Sequence, residues 1–295
     1  MANKITASSH KVIFSKLIKA VRNPRLATDI LYGLLHCKLP VSNEYDDLYL
    51  IAVENAVKNS KAFRSFKSHP YYRRVLEHVS FDQGQLYLDI LKKDSPEIID
   101  KISLLKLNDL IGNPIKYEYD LIGEISPTTL RYAKVASDLK LLFGNLHNFS
   151  IAEIGCGYGG QMLVIDQIFN IKTYLLFDLF PVLKLIQKYL ESHLLNSSYE
   201  TSTLNQYDDI RDFDLVISNY AFSELPLPLQ IKYVEKVLSR SKRGYLTMNS
   251  GLNDSDLNNH LRINDLKKYL PNIEIIEEKP LTSSDNYIIC WGRMS

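Results

Sequence analysis

The sequence has few cysteines, almost no net charge and no long apolar run. Its 295 residues include three cysteines, Cys37, Cys156 and Cys290, which lie far apart and form no C-x-x-C pair. This spacing argues against a disulfide framework or a cysteine-rich zinc site, and it fits a reducing compartment. Lys and Arg total 35 against 34 Asp and Glu, so no overall field draws the chain to nucleic acid.

The absence of long apolar segments bears on location. No stretch approaches the roughly 20 apolar residues that span a bilayer. The N-terminus lacks a continuous apolar segment, so we expect neither a signal peptide nor membrane insertion, and we expect a cytoplasmic protein. Tyrosine, in contrast, is abundant, with 19 residues. Tyrosine-rich clefts suit sugars, although genome composition explains the abundance equally well.

Residues 1–110 carry helical patterns that we interpret as a region for substrate binding or oligomerisation. The pattern from Ser9 to Asn23 is amphipathic with a basic face, and a homodimer through such helices is a prediction from this amphipathicity. Further helical patterns cover T-D-I-L-Y-G-L-L-H, residues 42–59 and S-P-E-I-I-D-K-I-S-L-L-K. Within Phe63–Val79, candidate substrate-lining side chains are His69, Tyr71, Tyr72, Arg73 and Arg74. A solvated helix face explains half of them as well.

Residues 111–295, beyond the helix breakers Gly112 and Pro114, alternate between strand and helix patterns. Ser126 and Pro127 open a helix that Gly144 ends. Five strand segments with intervening helices follow, and I-E-I-I-E-E and Y-I-I-C-W-G close the series. The alternation predicts an α/β fold with a parallel, doubly wound sheet. The closing pair predicts an antiparallel hairpin at one edge.

The stretch Ile151–Gln161, I-A-E-I-G-C-G-Y-G-G-Q, reads as strand, glycine-rich turn and helix. Such a turn brings backbone N–H groups and a helix N-terminus close to a ligand. Gly155, Gly157 and Gly160 satisfy the dinucleotide pattern G-x-G-x-x-G, which is weak alone. Asp178, after the second strand, can accept hydrogen bonds from ribose hydroxyls in a dinucleotide or in S-adenosylmethionine.

Three features favour a sulfonium cofactor over a dinucleotide. A carboxylate at Glu153 would attract a cation and repel a pyrophosphate. The chain closes with a strand pair instead of a second mononucleotide-binding half, and the turn lies in mid-chain behind a helical region. An NAD(P)-dependent oxidoreductase and a non-catalytic cofactor-binding scaffold stay open as alternatives.

Several motifs resemble known families. E-I-G-C-G-Y-G-G-Q, Asp178 and the seven-strand plan look like a Rossmann-like S-adenosylmethionine-dependent methyltransferase. More narrowly, I-S-P-T-T-L-R-Y, L-V-I-S-N-Y-A-F-S-E-L and N-Y-I-I-C-W-G are similar to a sugar O-methyltransferase family associated with bacterial surface polysaccharide loci. The resemblance covers roughly Asn108 to Gly292, and Cys156 in the turn is a minor departure.

The resemblance implies a mostly parallel seven-stranded sheet with an antiparallel C-terminal strand, behind a helical N-terminal region. It implies S-adenosylmethionine as cofactor and a sugar hydroxyl as acceptor, on a nucleotide sugar or on a capsule or lipopolysaccharide precursor. A methyltransferase for another small phosphorylated metabolite is the alternative. We expect no nucleic-acid partner.

Ligand sites in such sheets lie beyond the carboxyl ends of the strands. Candidate cofactor-binding residues near these strand ends, or in the first turns of the helix that Ser126 and Pro127 open, are Thr129, Arg131, Glu153, Gly155, Gly157, Gly159, Gln161, Asp178, Gln206, Ser218 and Asn219. Arg131 could reach a ligand carboxylate. Asp178 would hold the ribose, and Asn205, Gln206 or Asp208 would meet the adenine.

Methyl transfer to a hydroxyl profits from in-line alignment and from a general base. The candidate catalytic residues are Glu224 and His260 as alternative bases, and Tyr220 to orient the acceptor. The loop pairs Asp208–Asp209 and Asp254–Asp256 could supply oxygen ligands to a divalent metal. Adjacent loop acids are usually solvated, so we expect no metal.

Overall fold

The computed structural model describes residues 47–252, 260–270 and 272–294. Short helices form the first part of this described chain. They are α1 (Asp47–Lys58), α2 (Ser60–Phe63), α3 (Pro70–Val75), α4 (Phe81–Asp94), α5 (Pro96–Ile99) and α6 (Ile102–Leu105). A capping box holds the start of α4, where Ser80 and Gln83 bond each other's backbone N–H groups. The predicted helices before residue 42 lie outside the described residues.

Helix α7 (Pro127–Phe143) begins and ends where the sequence predicts. The Ser126 hydroxyl accepts a hydrogen bond from the Thr128 N–H at 3.2 Å, and Pro127 occupies the first helical position. Gly144 ends the helix with φ +74°, a conformation that glycine adopts without strain. The later helices are α8 (Gly160–Ile168), α9 (Phe180–Leu190), α10 (Ala221–Glu224), α11 (Leu227–Lys236) and α12 (Ile263–Tyr269).

A small antiparallel hairpin, β1 (Tyr117–Tyr119) with β2 (Gly123–Ile125), precedes α7. The sequence analysis does not predict it. Each strand has three residues, of which one is buried, so no apolar alternation is long enough to reveal it.

The main sheet has seven strands in the order β5-β4-β3-β6-β7-β9-β8. They are β3 (Ser150–Ile154), β4 (Thr173–Phe177), β5 (Ser198–Ser202), β6 (Leu215–Asn219), β7 (Gly244–Met248), β8 (Glu274–Glu277) and β9 (Tyr287–Trp291). The first five are parallel, and β9 runs antiparallel to both β7 and β8. The predicted edge hairpin is confirmed, with its second strand inside the sheet.

One hydrophobic core joins the helices of residues 47–109 to the sheet. Helix α1 packs on α9, and α4 packs on α7. Buried side chains from Val53 to Cys290 belong to the same cluster. The boundary near residue 110 stays a prediction.

Among the described residues, no helix combines the length and apolarity that a bilayer crossing demands.

Candidate functional site

The glycine turn joins β3 to α8 through three left-handed residues. Gly155, Gly157 and Gly159 have φ of +74°, +58° and +88°. A Cβ on Gly155 would lie 2.0 Å from the Ala221 side chain, and one on Gly157 would lie 2.8 Å from that of Leu76. Both conformation and space therefore require glycine at these two positions.

Asp178 directly follows β4, and its carboxylate is hydrogen-bonded to the backbone of the glycine turn. One carboxylate oxygen accepts the N–H groups of Cys156 at 2.8 Å and Gly157 at 3.1 Å, and the other accepts that of Leu179 at 2.7 Å. Burial raises the pKa of Asp178 to about 6, against the lowering effect of these three hydrogen bonds. Two backbone N–H groups of the turn are thus already hydrogen-bonded to a carboxylate of the same chain, Asp178.

Glu153, the second-last residue of β3, is 1 % exposed and accepts a hydrogen bond from the Tyr174 hydroxyl at 2.8 Å. Burial raises the pKa of Glu153 to about 8; the Tyr174 hydrogen bond opposes the rise and the charge of Asp178 adds to it. The carboxyl group is therefore mostly protonated at neutral pH. Its predicted preference for a cationic ligand stays a prediction.

A cleft with about 350 Å³ of empty space, part of it open to solvent, lies between α7 and the carboxyl ends of β6 and β7. Four predicted site residues, Arg131, Gln161, Asn219 and Tyr220, line it together with Tyr87 and Glu278. These side chains come from distant parts of the sequence, and the sheet topology brings them to one place.

Arg131 supplies the cleft with a half-buried cation. Its guanidinium donates to the Leu76 carbonyl at 3.2 Å and lies 5.5 Å from the Tyr132 ring centroid. Within residues 47–252, 260–270 and 272–294, no carboxylate forms a salt bridge with it. A guanidinium has five donors and favours carboxylates, so this one is equipped for an acidic ligand.

Asn219, at the end of β6, lines the same cleft. Its amide nitrogen donates to Gln161 at 3.5 Å, and Gln161 donates to the Tyr132 carbonyl at 3.1 Å. The Asn219 Oδ1 atom is buried and meets no donor in the described part of the chain. A buried acceptor without a donor is costly, so a ligand N–H fits there.

Two other predicted cofactor residues use their polar atoms within the protein. The Ser218 hydroxyl donates to the Ile154 carbonyl at 2.9 Å and accepts from the Phe222 N–H at 3.0 Å. The Thr129 hydroxyl donates to Asp109 at 2.6 Å and accepts from Asn108 at 2.7 Å. Gln206 lies exposed after β5 and bonds Thr203.

Thr129 belongs to a set of polar residues beneath the glycine turn that we name the buried network: Lys67, Asn108, Asp109, Thr129, Tyr158 and Tyr189. Asn108 donates to Tyr158 at 3.1 Å and accepts from Tyr189 at 2.8 Å. The Lys67 ammonium donates to the Asn108 carbonyl and lies 4.1 Å from the Tyr158 ring centroid. Burial lowers the pKa of Lys67 to about 8, although Glu77 and Asp109 favour the charged form.

The predicted catalytic residues fall in different places. Tyr220 lines the cleft, whereas neither Glu224 nor His260 is among the described residues that line it. Glu224 accepts a hydrogen bond from Asn249 at 2.9 Å. His260 adjoins residues 253–259, which are not described, and its Nδ1 atom is buried with no partner among the described residues. Their roles as bases stay predictions.

The segment Phe63–Val79 lies close to the turn. Tyr72 is fully buried, and Leu76 covers Gly157. Arg73 lines a second, smaller pocket of about 210 Å³ with Glu77. The segment therefore reaches the site through Leu76, which the sequence analysis does not single out.

Glu278 is the other residue that sequence reasoning missed. It is 6 % exposed, follows β8 and accepts a hydrogen bond from Tyr220. In the sequence it is the second acid of an E-E pair beside a lysine, a pattern typical of a solvated strand end.

The candidate metal acids are engaged elsewhere or not described. Asp208 pairs with Lys236 at 3.3 Å and Asp209 with Arg211 at 2.6 Å. Asp254 and Asp256 lie outside the described residues. Of the residues that the structure describes, no group of three or more His, Cys, Asp and Glu side chains forms a metal site.

The sheet order and the glycine turn together define the class. Six parallel strands, with the single antiparallel strand β9 inserted before the edge strand β8, give the α/β Rossmann-like methyltransferase fold, and this prediction is confirmed. A dinucleotide fold of two mononucleotide halves has the parallel order 3-2-1-4-5-6 instead.

No protein-family model and no curated protein matches the chain. Among solved structures it is similar to the pyocyanin biosynthetic protein PhzM, with 13% identity and a TM-score of 0.41 over 57% of this chain and 58% of that one. It thus spans under two thirds of that protein.

Two further similar structures are methyltransferases by description. An S-adenosylmethionine-dependent methyltransferase from Clostridium acetobutylicum ATCC 824 has 13% identity and a TM-score of 0.38, over 48% of this chain and 82% of that one. The methyltransferase domain of bacterial CtHen1 has 12% identity and a TM-score of 0.40, over 54% and 96%. These likenesses are too low to carry an argument about function.

Proposed function

We propose that the chain is an S-adenosylmethionine-dependent methyltransferase that transfers a methyl group to a sugar hydroxyl. The observation that carries the methyltransferase part is the strand order, with β9 antiparallel between β7 and β8. The sugar acceptor rests on the sequence resemblance and on the tyrosines Tyr87 and Tyr220 in the cleft. The sugar acceptor is thus a more specific claim than methyl transfer, and it has a separate basis.

The cleft suits the amino-acid end of this cofactor. Arg131 offers a guanidinium that forms no salt bridge with a described carboxylate, which fits the cofactor's carboxylate. Asn219 offers a buried oxygen without a donor, which fits its ammonium group. One cation and one acceptor in a single cleft match the two charges of an α-amino acid.

Asp178 and the glycine turn would hold the ribose. The Asp178 carboxylate accepts hydrogen bonds from three backbone N–H groups, and these bonds fix the positions of its two oxygens. The lone pairs that remain can accept hydrogen bonds from ribose hydroxyls. The cofactor supplies an electrophilic methyl group on a sulfonium. The protein's part is to align the acceptor oxygen with the methyl carbon at about 3 Å and to remove the hydroxyl proton.

The experiment that tests this proposal is calorimetric titration of the protein with S-adenosylhomocysteine and, separately, with NADH. We expect a single site for S-adenosylhomocysteine and no heat from NADH. Binding of NADH alone would replace the methyltransferase proposal by the oxidoreductase alternative. Binding of neither would leave the fold assignment intact and remove the function.

The sugar acceptor has a separate test. Release of S-adenosylhomocysteine from S-adenosylmethionine is followed with nucleotide sugars, with methyl glycosides of common hexoses and with phosphorylated non-sugar metabolites. We expect turnover with members of the first two groups. Turnover confined to the third would establish the alternative substrate class.

A further inference from the structure

Tyr220 has an unusual backbone and a defined hydrogen-bond partner. It follows β6 with φ +67°, a left-handed conformation that costs a bulky residue energy, and this strain is stored where the cleft opens. The backbone is held by its N–H donating to the Thr247 carbonyl at 2.9 Å and by the Ser223 hydroxyl donating to its carbonyl at 2.6 Å. The conformation directs the ring across the cleft toward the β8–β9 connection.

Glu278 is the hydrogen-bond partner of the Tyr220 phenol, and its two carboxylate oxygens accept from different donors. Oε1 accepts from the Tyr220 hydroxyl. Oε2 accepts from the Thr282 N–H at 2.8 Å, the Thr282 hydroxyl at 2.8 Å and the Asn286 amide at 3.2 Å. Two of these donors, the backbone N–H and the amide N–H, cannot become acceptors. The orientation of the Glu278 carboxylate is thereby fixed.

This arrangement fixes the direction of the hydrogen bond at Tyr220. A carboxylate only accepts, so the phenol must donate its single proton to Glu278. The Thr282 hydroxyl, 3.2 Å from the phenol, gives its own proton to Glu278 and accepts from Asn286 at 2.7 Å. The phenol oxygen therefore offers lone pairs, and no proton, to the cleft.

From this geometry we infer that Glu278 is a positioning residue that makes Tyr220 a hydrogen-bond acceptor for the hydroxyl of the methyl acceptor. The inference rests on the proposed function. It narrows the acceptor to groups that carry a proton to donate, such as a sugar hydroxyl, and disfavours carbonyl or ether oxygens at this position. Tyr220 touches the acceptor, and Glu278 acts through it.

Glu278→Gln reverses this hydrogen bond with little change of shape. The fixed donors of Thr282 and Asn286 hold the amide oxygen on their side, so the amide N–H₂ group faces Tyr220 and donates to it. The phenol then turns its own proton into the cleft. Glu277→Gln is the matched control, because Glu277 is the neighbouring acid and is exposed. Glu278→Asp keeps the acceptor-only chemistry on a shorter side chain.

The first readout needs neither cofactor nor acceptor. Tyrosine Cζ carbons are labelled with ¹³C, and Tyr220→Phe assigns the Tyr220 signal. Burial, followed by the charge of Glu278, raises the pKa of Tyr220 well above its usual value. We expect Glu278→Gln to lower the titration midpoint of this signal and Glu277→Gln to leave it unchanged. An unchanged midpoint in Glu278→Gln would overturn the inference, whether or not the protein is a methyltransferase.

The second readout is turnover with the best methyl glycoside or nucleotide sugar of the acceptor panel. Glu278→Gln removes the neutral hydrogen bond that the acceptor hydroxyl donates to Tyr220, and such a bond is worth roughly 2- to 10-fold, so we expect kcat/KM to fall by that factor, mostly through KM. Partial recovery in Glu278→Asp and unchanged S-adenosylhomocysteine affinity are expected with it. A loss in Glu278→Gln no larger than in Glu277→Gln would contradict the inference. If the wild-type protein does not bind S-adenosylhomocysteine, the proposed function itself is wrong.

Discussion

The buried network and the cleft differ in whether their polar groups have hydrogen-bond partners within the protein. In the buried network, Asp109 accepts from the Ser126 N–H at 2.7 Å and from Thr129, and Asn108 bonds two tyrosines. In the cleft, Arg131 has no described carboxylate partner and Asn219 Oδ1 has no described donor. Satisfied polar groups stabilise the fold, whereas unsatisfied ones are what a ligand can complete.

The largest expected effect comes from breaking the buried network at Asp109. Asp109→Ala removes the acceptor for Ser126 and Thr129 and, after Glu77, the second of the two charges that favour ionised Lys67. Two buried donors left without an acceptor cost about 1–3 kcal/mol each, a loss that urea unfolding measures. Exposed Asp120→Ala is the control, with a change of about 0.5 kcal/mol or less. A loss under about 1 kcal/mol at Asp109 would show that the network is not structural.

Glu153 gives the next effect, as a pH dependence. The folded pKa of about 8 lies above the unfolded value of 4.5, so the native state binds more protons between these values. The stability contributed by the protonated carboxyl is fully present below pH 4.5 and is lost as the pH rises through about 8. Because one pKa unit is about 1.4 kcal/mol, Glu153→Gln should gain about 3 kcal/mol over wild type between pH 5 and pH 8. If the stabilities of the two proteins change in parallel with pH, the pKa of Glu153 is not raised in the folded protein.

On the cleft side, Arg131→Gln should weaken S-adenosylhomocysteine binding with little effect on folding. Loss of a charge-assisted hydrogen bond predicts roughly 10- to 100-fold lower affinity by calorimetry. Arg64→Gln, at an exposed arginine, should bind like wild type. If Arg131→Gln instead lowers stability and leaves affinity unchanged, Arg131 belongs with the structural residues and the contrast between the two regions fails.

Gln206→Ala should give the smallest effect. Gln206 is exposed and bonds only Thr203 among the described residues, so its removal costs little stability. If it meets the adenine as predicted, loss of one neutral hydrogen bond lowers S-adenosylhomocysteine affinity by roughly 2- to 10-fold. Unchanged affinity would remove Gln206 from the cofactor site.

Sequence reasoning worked where local chemistry sets the structure. Ser126, Pro127 and Gly144 mark the ends of α7, and apolar runs mark the strands, because caps and buried faces are written in neighbouring residues. It failed for the β1–β2 hairpin, whose strands are too short for a pattern. It also predicted one helix over residues 95–106, where the structure has α5 and α6 with a break at Asp100–Lys101.

For the site, position along the strands was informative and side-chain direction was not. Arg131, Asn219 and Tyr220 lie in one cleft because each stands at a strand end or helix start that meets there. Thr129 is two residues from Arg131 on the same helix, and residues two apart face different sides, so it points into the buried network. Glu278 could not be found, since its partner Tyr220 lies 58 residues away in sequence.

The inserted strand β9 sets an order of assembly during synthesis. The described part of the sheet pairs β8 with β9 alone, and β7 meets β6 on one side and β9 on the other. Ribosomes release β7 and β8 before β9, so both present open edges until Trp291 has emerged. Open edges are templates for pairing with other chains, and long-range pairing is slow. Truncation before Tyr287 would therefore leave the edges of both β7 and β8 unpaired, and we expect such a chain to aggregate more readily than the full sequence.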